Sequence, residues 1–378
     1  AQLGQALRHM MGKYRGAAER CRALNAEMQG LKGAMRVYCR VRPLRDAEAA
    51  DGASIHLRGL GELSVLAKAG GTREYRFDTA YGPRASQEEV FADARPLLQT
   101  AVDGYNVSVF AYGPTGSGKT YTMTGDRASR RHRGLVYRML EDVFATQKER
   151  ATLADMEVRL SMFEIYNEAV RDLLAPGAHE RAGWEDGAAR EGASLKVSTD
   201  KRGNVHVEGL TEHRVDGLQR GLALVEYGQE VRATGATNLN EHSSRSHLLI
   251  RLGVRTVDRR TGARAVGKMY LIDLAGSENV QQSGAAGKQL KEAIGINKSA
   301  PTYLRPPPSR CPCCVGVVLS IGARAQVARR AARRDAGAVV QGRACAVPQL
   351  AADQAATGLT RRQLRHGDDC DAVDPGVE

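Results

Sequence analysis

The chain has 378 residues, of which 42% are hydrophobic and 26% are charged. This composition is typical of a globular protein, and the length allows one large α/β domain or two small ones with a sizeable core. No apolar stretch reaches the length of a membrane-spanning helix, so we expect no membrane as a partner. The net charge of +12 indicates a polyanionic partner or, as the alternative, only a solvated basic surface.

Cysteine usage indicates a reducing compartment. Only Cys21 and Cys39 of the seven cysteines lie in the first 300 residues, which excludes a disulfide framework there. A cytosolic setting is therefore expected. The chain begins with Ala1 rather than Met, so we expect a fragment, and its amphipathic start does not have the pattern of a signal peptide.

Residues 1–33 are predicted to be a helix that ends at Gly33. Its apolar side chains alternate spacings of four and three without a break, which is the a/d seam of a coiled coil. The seam consists of Leu3, Leu7, Met10, Tyr14, Ala17, Cys21, Leu24, Met28 and Leu31. An amphipathic helix packed on its own domain is the alternative, but the unbroken 3.5-residue period favours pairing between two chains. We expect a dimer through this neck, and both a homodimer and a heterodimer remain open.

After the neck, predicted strands alternate with predicted helices. The strands are Met35–Val41, Val107–Tyr112, Val158–Tyr166, His247–Val254 and Lys268–Asp273. The helices are Ser86–Val102, Leu135–Arg150 and Gly217–Gly235. Residues 175–193 are predicted to be a surface loop that contains Trp184. Strands mixed with helices imply an α/β fold with a sheet covered on both faces.

A glycine-rich segment follows the second predicted strand. The residues Gly113, Pro114, Thr115, Gly116, Ser117, Gly118, Lys119 and Thr120 match the phosphate-binding pattern G-x-x-x-x-G-K-[ST]. In such a P-loop, backbone N–H groups converge on phosphate oxygens and the lysine reaches the β- and γ-phosphates. The Thr120 hydroxyl would ligate Mg²⁺. A chance glycine-rich turn is the alternative, and the preceding strand and the complete G-K-T ending disfavour it.

Two further segments have the chemistry of a nucleotide-hydrolysing site. Asp273 ends an apolar strand, as the metal-binding acid of a Walker B strand does, and Gly276 offers a free N–H three residues later. The stretch Asn240-Glu241-His242-Ser243-Ser244-Arg245-Ser246-His247 is dense in short hydroxyl side chains. Both stretches are predicted γ-phosphate sensors. A polar loop before a strand and a plain strand exit are the alternatives.

These blocks, in this order and spacing, resemble the kinesin motor family over about residues 30–299. The remaining matching blocks are Arg40-Val41-Arg42-Pro43, Glu164-Ile165-Tyr166-Asn167-Glu168, Asp273-Leu274-Ala275-Gly276-Ser277-Glu278, Leu290-Lys291-Glu292-Ala293 and Ile296-Asn297-Lys298-Ser299. The resemblance implies a P-loop kinesin motor head at 34–299, with a central mixed sheet flanked by helices, preceded by the coiled-coil neck. It also implies an ATPase that uses ATP and Mg²⁺, is stimulated by microtubules, and resides on the cytoskeleton in the cytoplasm.

The resemblance implies roles for the nucleotide-binding residues. Arg40, Arg42 and Pro43, with Tyr121, would frame the adenine, while the P-loop would hold the phosphates. Pro114 stands where the family commonly has glutamine. Because proline lacks an N–H, one potential phosphate donor is missing, but we expect little loss of binding.

The resemblance also implies which residues carry the chemistry. They are Lys119, Ser244, Arg245, Gly276 and Glu278. Ser244 would join Thr120 and Asp273 at Mg²⁺. Arg245 and Glu278 would form a salt bridge that closes only with ATP and positions the attacking water, which is differential stabilisation of the reacting state. The helix begun at residues 291–299 would be the relay that binds tubulin.

A coiled coil that precedes the motor resembles the kinesins with a C-terminal motor, which move toward microtubule minus ends. The basic charge suits the acidic surface of tubulin. Nucleic acid is not an expected partner, because a P-loop protein that acts on nucleic acid would not account for the two sensor segments. A nucleotide-binding microtubule tether without motility is the second hypothesis.

Residues 300–378 depart from the family pattern, with eleven Arg but no Lys, Phe, Met or Asn. Pro348–Gln354 can be encoded as CCG CAA CTC GCG GCT GAC CAG, and one base later this reads R-N-S-R-L-T, as the family does. The same shift extends from Val327 to Asp369. We expect an aberrant tail: a retained intron near 300–326 and then a frameshifted motor end. A disordered basic extension and a metal site at residues 311–314 are the alternatives.

The aberrant tail would have a mechanical consequence. The motor would lack the rest of its relay helix, a later tubulin-binding segment and its last strand. Because that strand lies within the family's sheet, we expect unpaired backbone in a buried place. This predicts that the chain folds poorly and has little motor activity.

Overall fold

The computed structural model describes residues 2–31, 35–43, 54–66, 72–166, 169–178, 194–199, 205–234, 245–276 and 314–324. Among these residues no helix combines the length and the apolar character that crossing a membrane requires.

The first element is helix α1, Gln2–Leu31, as predicted for the neck. All nine seam residues are exposed to solvent, and the exposed fraction of the large side chains ranges from 37% for Met28 to 85% for Leu3. The helix touches the rest of the chain through Asn25, whose Nδ2 donates to Thr100 Oγ1 at 3.4 Å. The helix is confirmed, whereas its pairing with a second chain stays a prediction.

The remaining elements follow in chain order. They are β1 Met35–Val41, β2 Ser54–Arg58, β3 Glu62–Leu66, β4 Thr72–Arg76, β5 Thr79–Tyr81, α2 Gln87–Val102, β6 Tyr105–Tyr112, α3 Lys119–Met123, a 3₁₀ turn Arg130–His132, α4 Leu135–Arg150, β7 Ala154–Tyr166, β8 Ala169–Asp172, β9 Val197–Thr199, β10 Val205–Val207, β11 His213–Val215, α5 Leu218–Thr234, β12 His247–Asp258, β13 Arg264–Asp273 and β14 Cys314–Arg324.

A mixed sheet forms the centre of the head. Its strand order is β11-β7-β12-β13-β6-β14-β1-β5, and β8 pairs with β7. The pairs β13–β6 and β1–β5 are parallel, and the other neighbours are antiparallel. The parallel pairing of β13 with β6 brings the ends of both strands to the same edge of the sheet. That edge carries the P-loop and Asp273.

Alternation along the strands gives the sheet two apolar faces. On β6, Val107, Val109 and Ala111 pack with the large cluster that includes α2, α4 and α5, whereas Phe110 and Tyr112 belong to a second cluster on the other face. This is the period of two that an extended strand imposes. In the described residues the second face is covered in part by β9 and β10, which pair with each other.

Element ends differ from the sequence predictions for local reasons. Helix α2 begins at Gln87 and not at Ser86, because Ser86 is its N-cap and forms a capping box with Glu89. Strands β12 and β13 extend beyond their apolar cores, and their ladder continues to Val257 opposite Arg264. The small sheet β2-β3-β4 was not predicted, since its strands are short and mostly polar.

The expectation of unpaired backbone in the sheet is wrong for the described residues. Strand β14, from the tail, pairs with β1 on one side and with β6 on the other. A short apolar run in the tail suffices to complete the two ladders, a possibility that the family pattern did not suggest. The retained-intron and frameshift origin of residues 300–378 stays a prediction.

Candidate functional site

The P-loop forms a sharp turn between β6 and α3, as the sequence predicts. Gly116 and Gly118 have φ angles of 75° and 101°, in the left-handed region that glycine adopts most readily. The Ser117 N–H donates to the Pro114 carbonyl at 3.2 Å and closes the turn. The proline contributes to this bond through its carbonyl oxygen, which every residue type has. Its missing N–H therefore costs the turn nothing.

The Lys119 ammonium lies inside this loop. Its side chain is buried, and Nζ donates to the carbonyls of Gly113 at 2.9 Å and Pro114 at 3.0 Å. An ammonium group held in this loop is suited to bind polyphosphate, because hydrogen bonds from a charged donor to phosphate oxygens are stronger than neutral ones.

Thr120 and Asp273 meet at the edge of the sheet. The Thr120 hydroxyl donates to Asp273 Oδ2 at 2.6 Å, across 153 positions of sequence. The register that places Asp273 beside Ala111 of β6 sets this approach. Burial raises the pKa of Asp273, while Arg232, the Thr120 hydroxyl and Lys119 act against that shift.

These two residues fit Mg²⁺. Asp273 Oδ1 is buried and has no hydrogen-bond partner among the described residues, so a cation would satisfy it. Mg²⁺ prefers oxygen ligands and is commonly held by one or two carboxylates, water and substrate phosphates.

Arg40 and Arg42 join the end of β1 to the loop. The buried Arg40 guanidinium donates to Gln87 Oε1 at 3.0 Å and Thr122 Oγ1 at 3.1 Å, and it lies 5.1 Å from the centre of the Tyr121 ring. Burial lowers the pKa of Arg40, although arginine stays charged. Arg42 Nε donates to the Gly116 carbonyl at 2.9 Å. The side chain thereby ties β1 to the P-loop.

Pro43 and Tyr121 complete the predicted adenine side. Pro43 is exposed, and its carbonyl accepts from Arg42 Nη1 at 2.9 Å. The Tyr121 ring is 43% exposed. Both therefore have surface available to a flat base beside the P-loop.

Two residues at this end of the site were not predicted. Gln87 Nε2 donates to the Tyr121 carbonyl at 2.6 Å, and His132 Nδ1 lies 3.0 Å from the Tyr121 hydroxyl. Gln87 is 1% exposed, a burial that a glutamine in a helix start does not reveal in sequence. His132 comes from the 3₁₀ turn, which carries no recognisable motif.

His247 links the two predicted sensor segments. Its Nδ1 accepts the Ala275 N–H at 2.9 Å. Burial, together with the positive charges of Arg232 and Lys119, lowers the pKa of His247 to about 4. The imidazole is therefore neutral near pH 7, with its proton on Nε2.

A buried charge network supports the sensor segment at residues 240–247, through Ser246. Arg232 Nη2 donates to Ser246 Oγ at 2.9 Å, and Arg232 Nε lies 3.6 Å from Glu164 Oε2. Arg171 Nη1 donates to Glu164 Oε1 at 3.1 Å. The fully buried Glu164, from the predicted block on β7, thus has two guanidinium groups beside it. This explains why an acid can stay inside the core.

Not every predicted site residue falls in the described part of the chain. Arg245 and the buried Gly276 are described, whereas Ser244 and Glu278 lie outside it. The predicted salt bridge between Arg245 and Glu278 is therefore a proposal. The relay block at residues 290–299 also lies outside the described residues.

The family model of the kinesin motor domain matches residues 40–303. The chain belongs to the kinesin motor family. Kinesin-like protein KIN-14P of Arabidopsis thaliana is 40% identical over 308 residues, which are 79% of this chain and 29% of that protein. Kinesin-like protein KIN-14C of Oryza sativa subsp. japonica is 43% identical over 282 residues, or 72% and 28% of the two chains. The chain thus spans less than a third of these kinesin relatives.

Solved kinesin structures share the fold. A fast kinesin is 33% identical, with a TM-score of 0.60, over 68% of this chain and 71% of that one. The C-terminal motor and motor homology domain of Kar3Vik1, fused to a synthetic heterodimeric coiled coil, is 26% identical with a TM-score of 0.66. That match covers 79% of this chain and 76% of the other. These findings confirm the resemblance to kinesins, including one with a C-terminal motor, and the mixed sheet flanked by helices.

Proposed function

We propose that this chain is an ATP hydrolase, stimulated by microtubules, that moves toward microtubule minus ends. The observation that carries the proposal is the 2.6 Å contact of Thr120 with Asp273 beside a loop that encloses the Lys119 ammonium. It brings a metal-binding acid, a metal-binding hydroxyl and a phosphate-binding cation together. Membership of the kinesin motor family supports the rest.

The P-loop and its neighbours would bind Mg·ATP. Backbone N–H groups of residues 113 and 115–120 would donate to the phosphate oxygens, the Lys119 ammonium would offset their charge, and Thr120 and Asp273 would hold the cation. Mg²⁺, when bound, supplies a Lewis acid that stabilises charge on the phosphate oxygens. Arg40, Arg42, Pro43 and Tyr121 would frame the adenine.

The two sensor segments would position the attacking water. Ser244 would complete the oxygen ligands of the metal, and Gly276 would offer its N–H to the γ-phosphate. Arg245 and Glu278 would close a salt bridge over the site when ATP is bound. The His247–Ala275 hydrogen bond supports this coupling, because it ties the first residue of β12 to a residue just after β13, so that a shift of one would be passed to the other.

The neck and the net charge support the proposed partners. The exposed seam of α1 is unpaired within the described residues and suits a second helix, so we infer a dimer through α1. The charge of +12 suits the acidic surface of microtubules and supports a proposed location on the cytoplasmic cytoskeleton. The order of neck before motor, as in the C-terminal motor of Kar3Vik1, supports minus-end direction.

Steady-state ATP turnover with and without microtubules tests the proposal. We expect microtubules to raise turnover, and the rise to shrink as salt is added, because exposed charges are screened within about 8 Å at physiological ionic strength. Equal turnover with and without microtubules would contradict the proposed motor function.

The Thr120 side chain and the direction of movement need separate tests. Thr120→Val removes the hydroxyl and is expected to abolish turnover, whereas Thr120→Ser keeps the hydroxyl and should keep turnover. Gliding on polarity-marked microtubules tests the direction.

A tether without motility is the second candidate. It is favoured by the family match, which ends at residue 303 of 378 and leaves residues 304–378 outside it. Nucleotide-dependent binding to microtubules, without stimulated turnover, would identify the tether.

A further inference from the structure

The strand between β1 and β6 comes from outside the residues that match the kinesin family. The family match ends at residue 303, whereas β14 spans Cys314–Arg324. β14 lies between β1 and β6 in the sheet and runs antiparallel to both. A segment foreign to the family match therefore occupies a central position of the fold.

The pairing of β14 is continuous with β1. It runs from Met35 opposite Ser320 to Val41 opposite Cys314, which is the full length of β1. On the other side it runs from Tyr112 opposite Gly316 to Val107 opposite Ile321. Backbone N–H and C=O groups inside a sheet need partners, and β14 supplies them to both neighbours.

The sequence of β14 suits a central strand. Val315, Val317, Val318, Leu319 and Ile321 are apolar, and four of the five are β-branched. The segment has no charged residue before Arg324 and no proline. Prolines at positions 306–308 and 312 stand just before it and disfavour a longer strand.

The neighbours of β14 carry the two sides of the nucleotide site. β1 is followed directly by Arg42, whose Nε donates to the Gly116 carbonyl at 2.9 Å, and β6 leads directly into the P-loop. A strand that fixes the spacing between β1 and β6 therefore also fixes the spacing between the adenine side and the phosphate side.

We propose that β14 is a surrogate strand, recruited from outside the family sequence, that closes the sheet and holds β1 in register beside β6. The proposal concerns the pairing of the sheet, so it stands or fails independently of ATP hydrolysis.

A register-specific disulfide tests the pairing in the full chain. The native Cys39 lies opposite residue 316, whereas residue 317 lies opposite Tyr38, on the other face of the sheet. Paired Cα atoms in antiparallel strands lie about 4.5–5.5 Å apart, which a disulfide can span. In a chain with Cys311, Cys313 and Cys314 replaced by serine, Gly316→Cys is the test variant and Val317→Cys is its matched control.

We expect mild oxidation to link Cys39 to position 316 in the test variant, as read by mass mapping of tryptic peptides. The control should form at least tenfold less of the corresponding link. No link at 316, or equal links at 316 and 317, would overturn the proposal.

Hydrogen exchange provides a second test. Residue 318 pairs with both Val37 and Phe110, so Val318→Pro should break both ladders. We expect at least tenfold faster exchange in peptides 35–41 and 105–112, while Val327→Pro, beyond the strand, leaves them unchanged. If the whole chain loses protection in Val318→Pro but not in Val327→Pro, the result would support the same conclusion. Unchanged exchange in both peptides would refute it.

Discussion

At the residue scale, His247 combines burial, a specific hydrogen bond and two nearby cations. Its pKa of about 4 in the folded protein lies below the ordinary value of 6.5. Between these two values the unfolded chain binds the proton and the folded chain does not, so stability falls as the pH falls. The contribution is fully present above pH 6.5 and lost toward pH 4.

The first prediction follows from this shift. The free energy of unfolding of the native chain should decrease between pH 7 and pH 4, with up to about 3 kcal/mol of the decrease due to His247. His247→Asn keeps an oxygen that can accept the Ala275 N–H but cannot titrate, so its decrease should be smaller by that amount. Urea unfolding at several pH values measures both. Parallel pH curves for the two proteins would contradict the assignment.

Pro114 gives a second prediction. The described contacts of this residue use its carbonyl, which accepts from the Ser117 N–H and Lys119 Nζ. Pro114→Gln restores the common family residue and keeps that carbonyl, so we expect the affinity for Mg·ATP to change by less than about threefold, or ~0.7 kcal/mol. Titration calorimetry of both chains measures it. A tenfold gain would show that the missing N–H matters.

Residue positions were predictable where a motif fixes them by spacing. The P-loop, Asp273 and the pair Arg40 and Arg42 lie together at one edge of the sheet, as the pattern required. Gln87 and His132 could not be predicted, because their place beside Tyr121 depends on how α2 and the 3₁₀ turn pack. No local pattern encodes such a tertiary contact.

At the element scale, α1 presents its full apolar seam to solvent. In a parallel homodimer, equal positions of the seam face each other, and Cys21 is one of them. We expect oxidation of the purified chain to join two copies through Cys21, as read on a non-reducing gel. A chain with Cys21→Ser and Glu19→Cys, which moves the thiol off the seam, should join poorly. Equal disulfide formation in the two proteins would contradict the predicted seam. A purified chain that is monomeric would indicate that α1 pairs with a helix of a different protein.

Long, strongly patterned elements were predictable, and short polar ones were not. Leu135–Arg150 and Met35–Val41 have the predicted ends, because the apolar period agrees there with the flanking breakers, Gly134 before the helix and Pro43 after the strand. β2, β3 and β4 are five-residue strands whose stability depends on pairing with one another. β14 lies beyond the residues that match the family, so its sequence alone did not show between which strands of the sheet it would pair.

At the scale of the whole molecule, the tail decides how the chain behaves. The sequence predicts poor folding, whereas β14 supplies the pairing whose absence motivated that prediction. We now expect one cooperative thermal transition for the full chain, measured by circular dichroism. A gradual, non-cooperative loss of signal would restore the earlier expectation of poor folding.

The origin of the tail is tested by the transcript. We expect the message across Ser299 to contain an unspliced segment, followed by a one-base shift that encodes the family-like reading of residues 327–369. Sequencing of cDNA across this junction reads it directly. A message that is spliced throughout and still encodes the given tail in frame would contradict the frameshift.

The central claim is that residues 113–120 and Asp273 form a cradle for Mg·ATP, with Lys119 as its cation. Titration calorimetry of Mg·ATP into the full chain tests it most directly, alongside Lys119→Ala and, as a matched control, the exposed Lys148→Ala. We predict that the native chain and Lys148→Ala bind alike, and that Lys119→Ala binds about 100-fold more weakly, because hydrogen bonds from a charged donor are lost. No binding to the native chain, or equal binding to a folded Lys119→Ala, would contradict the account.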